Sequence, residues 1–306
     1  GLAGAAALIQ GTGCLNQGGF SHRLAIFWSV VGKNVAGATT ANRIVNVYAD
    51  GTAGVATITI SSGTTVIGVE TVTFVGAAAS YTPTQTRKVY AITSAAPSTP
   101  GDQTITVAVK DAAGNNVVNG TTVNATSAST TVATVTASAT TTSGVATFTI
   151  SGVSSGTSVI TFANATSGAT VTATTTVTVG SATVAAVTMS NDKTSYVPGE
   201  RMVTTVTVTS ADGKAVADGV YTLFSTYPSS SMALASSALP TSGTSTVSGG
   251  TLVLTSNAPV TEGSFTISAN DNLTAKTALT ATSTVENAAA TAAAQAASDA
   301  AAEATD

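Results

Sequence analysis

The sequence predicts an all-β protein, a string of β-sandwiches followed by a short Ala-rich C-terminal helix, and three observations predict it. Apolar and hydroxyl residues alternate along much of the chain, as in Thr104-Ile105-Thr106-Val107-Ala108-Val109. That period of two places one face of a strand in a core and the other in water. The stretch SGVATFTI at 143–150 nearly repeats AGVATITI at 53–60, and Pro100-Gly101-Asp102 recurs as Pro198-Gly199-Glu200, as expected when one fold is used several times. Past Glu286 the alternation stops, and 12 of the 19 residues from Ala288 to Asp306 are Ala, the strongest helix former.

A length of 306 residues accommodates two or three domains of about 100 residues each. The repeats favour three: a degenerate or partial unit at 1–80, units at 81–180 and 181–286, and a helix at 287–306 that begins a stalk. Only 8% of residues are charged, whereas 61 are Thr; ordinary soluble domains are roughly 25% charged. The exposed faces are therefore built from hydroxyls, which fits an extracellular, cell-surface or cell-wall protein. β-Branched Thr and Val also favour extended backbone. A net charge of −4, with ten Lys and Arg dispersed along the chain and only Arg87 and Lys88 adjacent, leaves no basic stripe for nucleic acid. The single Cys14 has no partner for an internal disulfide. The apolar opening at 1–9 is too short to span a bilayer, and no transmembrane segment is expected.

Taken in order, the first unit is the weakest. Residues 31–39 parallel 113–121, and 69–76 read as its last strand, while Phe20, His22, Phe27 and Trp28 lie in a stretch without alternation. Residues 77–100 hold Pro83, Pro97 and Pro100 and are expected to contain a stiff connector and the entering strand of the next unit. In the second unit, strands are expected at 104–110, 121–126, 131–136, 145–151, 158–163 and 171–179. Asp111 to Asn116 form a turn, because Gly and Asn tolerate positive φ. The third unit repeats this scheme, with a turn at 210–214 and a connector at 180–192. Alternation puts Val107, Val109, Phe148 and Ile150 in one core and Val206, Val208, Phe265 and Ile267 in the other.

The motif Asn191-Asp192-Lys193-Thr194-Ser195-Tyr196-Val197-Pro198-Gly199-Glu200, followed by alternating Val and Thr and an Asp-Gly turn, resembles the opening of bacterial immunoglobulin-like domains of the invasin and intimin type. Residues 107–115, 118–121 and 143–148 match the same pattern one unit earlier. With the Ala-rich C-terminus, the layout is similar to bacterial cell-surface and S-layer proteins. The resemblance implies tandem Ig-like β-sandwich domains that serve as spacers, adhesins or lattice subunits, with no catalytic residues to carry over.

Candidate sites are few. Gly152-Val153-Ser154-Ser155-Gly156 fits the nucleophile-elbow pattern but lies between two expected strands instead of entering a helix, and the sole histidine, His22, is in another unit. Ser154 is read as a turn residue, and no enzyme is expected. Carboxylates gather near turns and unit ends, Asp102, Asp111, Asp192, Glu200, Asp212, Asp218 and Asp271 among them, where oxygen donors could collect around calcium. The expected ligands are Asp102, Asp192 and Glu200, beside the joints between units, and Asp271; turn chemistry without metal is the competing reading, because no D-x-D-x-D-G spacing occurs. No other cofactor is expected. Four Asn-x-Thr sequons, at Asn119, Asn124, Asn164 and Asn272, arise readily by chance in so Thr-rich a chain.

Two functions remain open. One is a structural surface protein that self-associates into an S-layer-like lattice or filament, with its C-terminal helix leading to a cell-envelope anchor. The other is an adhesin whose first unit, with Phe20, Phe27 and Trp28, is a ligand-binding tip.

Overall fold

The computed structural model describes residues 9–11, 53–62, 64–92 and 103–304. The expectations for Cys14, Phe20, His22, Phe27, Trp28, Asp102 and 31–39 lie outside these residues. Strands β1 (Ile9–Gly11), β2 (Gly54–Ser62) and β3 (Thr65–Phe74) form an antiparallel sheet in the order β1-β2-β3. The repeated AGVATITI is β2, and the expected last strand at 69–76 is the second half of the longer β3.

The second unit is a two-sheet sandwich. Its strands are β4 (Ser80–Gln85), β5 (Tyr90–Ala91), β6 (Thr104–Lys110), β7 (Thr122–Ser127), β8 (Ala133–Val135), β9 (Ser138–Thr140), β10 (Val145–Gly152), β11 (Gly156–Ala163) and β12 (Thr172–Gly180). One sheet runs β4-β6-β10-β8 and the other β5-β12-β11-β7-β9. Each of the six expected strands lies within two residues of an observed one at each end. The alternation holds in three dimensions: Ile105, Val107 and Val109 of β6 and Ala146, Phe148 and Ile150 of β10 face inward and are almost wholly buried. Phe148 meets Phe162 of the opposite sheet with ring centroids 5.0 Å apart. Thr residues pair across the outer faces, Thr106 with Thr147 and Thr161 with Thr174, where β-branched neighbours support each other. A Thr-rich chain therefore makes a charge-poor surface without losing strand structure.

The third unit repeats the plan with β13 (Ala186–Asn191), β14 (Ser195–Tyr196), β15 (Arg201–Thr209), β16 (Gly219–Tyr221), β17 (Phe224–Ser230), β18 (Leu234–Ser236), β19 (Ser245–Val247), β20 (Thr251–Pro259), β21 (Gly263–Asp271) and β22 (Ala278–Val285). Its main sheets are β13-β15-β20-β18 and β14-β22-β21-β17, with β16 and β19 as a separate pair. In both units the first strand splits, its short second part (β5 or β14) running parallel to the last strand of the other sheet. This strand order is that of an immunoglobulin-like sandwich. Val206, Val208, Phe265 and Ile267 lie in the core as the alternation predicts.

One sequence expectation changes. Strand β13 occupies much of the stretch 180–192 expected as a connector, because Val187 and Met189 alternate into the core; the link proper is Ser181 to Ala185. The edge strands carry the prolines that limit edge pairing: Pro83 stands in edge strand β4, and Pro228 in edge strand β17, which is further broken by register shifts. Past Asn287, helix α1 (Ala288–Glu303) is exposed wherever its side chains are described, with Gln295 donating to Asp299 one turn on, at 2.7 Å. Among the described residues no helix is long and apolar enough to cross a membrane.

Candidate functional site: the joint between the sandwiches

Each sandwich has two poles. In the third unit, the loops after β15 and before β20 and β22 lie at the pole near the second unit, while the turns before β15 and β21 lie at the far pole. Two-residue turns close the near pole of both sandwiches. Ser143 and Gly144 have φ of 52° and 79°, and Gly249 and Gly250 have φ of 64° and 72°, the pair of positive angles that a tight hairpin turn requires. A side chain from the preceding loop caps each turn: Asn119 Oδ1 accepts the Ser143 N–H at 2.7 Å, and Asp218 Oδ1 accepts the Gly249 N–H at 2.6 Å.

Asp218 does more than its counterpart. Its second oxygen, Oδ2, accepts the backbone N–H of Lys88 in the second sandwich at 2.7 Å. The Asp218 N–H donates to Val89 O at 2.9 Å, and its carbonyl accepts from the Arg87 guanidinium. An aspartate is needed here because a carboxylate accepts at both oxygens, whereas an amide would present its NH₂ to one of the two N–H groups. Asp218 is only 8% exposed, and burial is tolerated because its oxygens are hydrogen-bonded. Lys214 Nζ reaches Ser155 O at 3.0 Å, and Ala217 N donates to Ser181 O at 3.0 Å. Burial pushes the Tyr221 hydroxyl, next to this carboxylate, up to about 12.

Close packing accompanies these bonds. A Cβ at Gly180, the last residue of β12, would overlap the carbonyl oxygen of Ala215 and lie 2.8 Å from Val89 Cγ1. A Cβ at Gly250 would lie 2.5 Å from Ala215 Cβ. Ala215 is thus wedged between a glycine of each sandwich. A cleft of about 590 Å³ opens beside the joint, lined by Gln85, Arg87, Lys88, Thr176 and Ser248 among others.

The first sheet meets the second unit similarly. Asp111 Oδ2 accepts the Gly76 N–H at 3.0 Å, while Oδ1 accepts from Ala113 and Asn115 at 2.9 Å each. These bonds, led by that from Gly76, hold the Asp111 carboxyl below the usual range.

Among the described residues, the expected calcium ligand Asp271 is held apart from Asp192 and Glu200. Asp192 and Glu200 lie at the far pole of the third sandwich, beside the exit to α1 and away from the joint. Burial opposes ionisation of Asp192, but hydrogen bonds from Tyr196 Oη and Val203 N, both 2.7 Å, outweigh it and keep its pKa low. Glu200 is held low by its ion pair with Lys193 and by the Val197 N–H at 3.0 Å. Asp271 lies at the opposite end of β21, about 30 Å away at 3.3 Å per residue, and its Oδ1 accepts from Leu273 and Thr277 at 3.1 and 3.0 Å. Among the described residues no three His, Cys, Asp or Glu side chains cluster as metal ligands. Ser154 lies in the turn between β10 and β11, donating to Thr131 O at 2.6 Å. The joint itself is missed by sequence reasoning; its one visible signal is the Val-Gly ending shared by 75–76 and 179–180.

No family model matches the chain, and no curated protein matches it. Similar solved structures include FdeC, an Escherichia coli adhesin, at 21% identity over 79% of this chain and 76% of that one, with a TM-score of 0.33. Domains 4 and 5 of the S-layer protein SbsC are similar at 25% identity over 42% of this chain and 65% of that one, with a TM-score of 0.27. Invasin, a bacterial integrin-binding protein, is similar at 15% identity over 68% of this chain, with a TM-score of 0.28; the match spans 40% of invasin's chain. The Ig-like topology assigned above rests on the strand order and not on these likenesses.

Proposed function

We propose that this chain is a structural protein of the bacterial cell surface, a stiff string of Ig-like sandwiches that associates with copies of itself into a layer or filament. The observation that carries the reading is the joint, where Asp218 ties the turn of one sandwich to the backbone of the next. A flexible linker would need none of these bonds; a spacer that holds a fixed distance and rotation between units needs all of them. The hydroxyl-rich surface, with few like charges to repel a second copy, supports self-association. Because Pro83 and Pro228 guard two of the edges, contact between sandwich faces is a better route to it than strand addition.

Negative-stain imaging of native material tests this reading. Ordered arrays or filaments are expected; isolated rods would favour the adhesin stalk, with the first unit as its ligand-binding tip. Sedimentation that finds only monomer at high concentration counts against self-association while leaving the stiff joint standing.

A further inference from the structure

The two sandwiches and the first sheet can be compared at one position. Val179 pairs with Tyr90 in the second unit as Val285 pairs with Tyr196 in the third, so the residue after each valine is equivalent: Gly180 and Glu286. In the first unit the same ending places Gly76 after Val75.

At Gly180 the next unit closes onto bare backbone. A Cβ on Gly180 would overlap the Ala215 carbonyl, and both flanking groups are fixed, Val89 by burial and Ala215 by its own wedge against Gly250. The Gly76 N–H bonds to Asp111, but a Cβ there would press on Ala53 Cβ of its own sheet at 2.9 Å and meet Asp111 Cβ at an ordinary 3.6 Å, so only Gly180 excludes a side chain through the following unit. Neither a short nor a long side chain fits at Gly180 without displacing backbone. φ plays no part, since both residues lie outside the left-handed region. Glu286, by contrast, carries an exposed side chain whose Oε1 accepts from Thr284 Oγ1 at 3.2 Å, and helix α1 begins two residues later.

We infer that the residue ending the last strand decides which pole accepts a following sandwich: glycine at 180 admits one, and Glu286 closes the far pole of the third sandwich to one, leaving it for the helix. The partner that fits an open pole is the near pole of another Ig-like unit, presenting a small residue at the position of Ala215 and a carboxylate at that of Asp218. This inference rests on the stiff-spacer reading and adds the determinant of docking.

Pulsed electron-spin distance measurements on the full chain test it, with Cys14→Ser as background and labels at exposed positions 147 and 253. The parent is expected to give one narrow distance, and Gly180→Glu a distribution that roughly doubles in width, with the thermal unfolding of both sandwiches retained. Gly180→Ala provides a smaller change should the Glu variant fail to fold. A second arm duplicates residues 181–286 in tandem, labelled at 253 in both copies; only the form carrying Glu286→Gly at the new junction is expected to give a narrow distance. A distribution as narrow in both Gly180 variants as in the parent, or equal widths with and without Glu286→Gly, overturns the inference and leaves the spacer reading intact. A broad distribution already in the parent overturns the spacer reading itself.

Discussion

At the scale of the residue, the chain relies on a few side chains whose surroundings leave no substitute. Phe148 is fully buried against Phe162, and Phe148→Ala is expected to cost about 3–5 kcal/mol, seen as a large fall in the melting temperature of the second sandwich; an unchanged melt would show that this core does not depend on it. Asp218→Asn is expected to loosen the joint while sparing the turn, since one oxygen can still accept from Gly249. Faster amide exchange at Lys88 with unchanged exchange at Gly249 is the signature. Asp111 gives a dependence on pH. Its folded pKa lies below the unfolded value, so its contribution is complete above the ordinary carboxylate range and is lost as pH falls through that range toward the folded pKa. The contact between Gly76 and Asp111 should therefore open in acid, and Asp111→Asn should abolish that acid-dependent step in amide exchange at Gly76.

At the scale of the element, the near-pole turns show how the same conformation is reached with different residues. The third unit uses two glycines, whereas the second sets Ser143 in the left-handed region beside Gly144. Gly144→Ala is expected to destabilise the second sandwich by at least about 1–2 kcal/mol, because its φ is positive and its Cβ would lie 2.5 Å from Asn116 Cβ; denaturant unfolding measures it. The long strands were legible in the sequence because one face of each meets an apolar core, so Val and Phe alternate visibly with Thr. Strand β9 was not, since Ser138-Ala139-Thr140 has no large residue to mark a face. The first unit departs from its repeat for a reason of chain length. Only two residues separate β2 from β3, which closes a hairpin, whereas three residues after β10 carry the chain to the opposite sheet. The joint was illegible because it is written in backbone groups: Gly180 reads as a unit end, and Asp218 as one carboxylate among several near turns, until folding brings Lys88 and Gly249 to its two oxygens.

At the scale of the whole molecule, Asp192, Glu200 and Asp271, three of the carboxylates expected to share calcium, are spread between two poles and occupied by N–H and O–H donors. Small-angle scattering is accordingly expected to give the same maximum dimension with calcium and with chelator; a longer particle with calcium would return the metal to the joints, with Asp102 as its nearest candidate in sequence to the second sandwich. One feature of the topology bears on what such a string can withstand. In each sandwich the chain enters at one pole and leaves at the other, and a segment near its beginning runs parallel to its last strand, Tyr90 and Ala91 beside Val179 and Gly180, Ser195 and Tyr196 beside Thr284 and Val285. Traction on the two ends drags these neighbours in opposite directions along their length. Their bonds are strained together in shear and do not peel away singly, as they would at the open end of a hairpin, so a protein held at one end and pulled at the other meets its load with the first and last strands of every sandwich locked side by side.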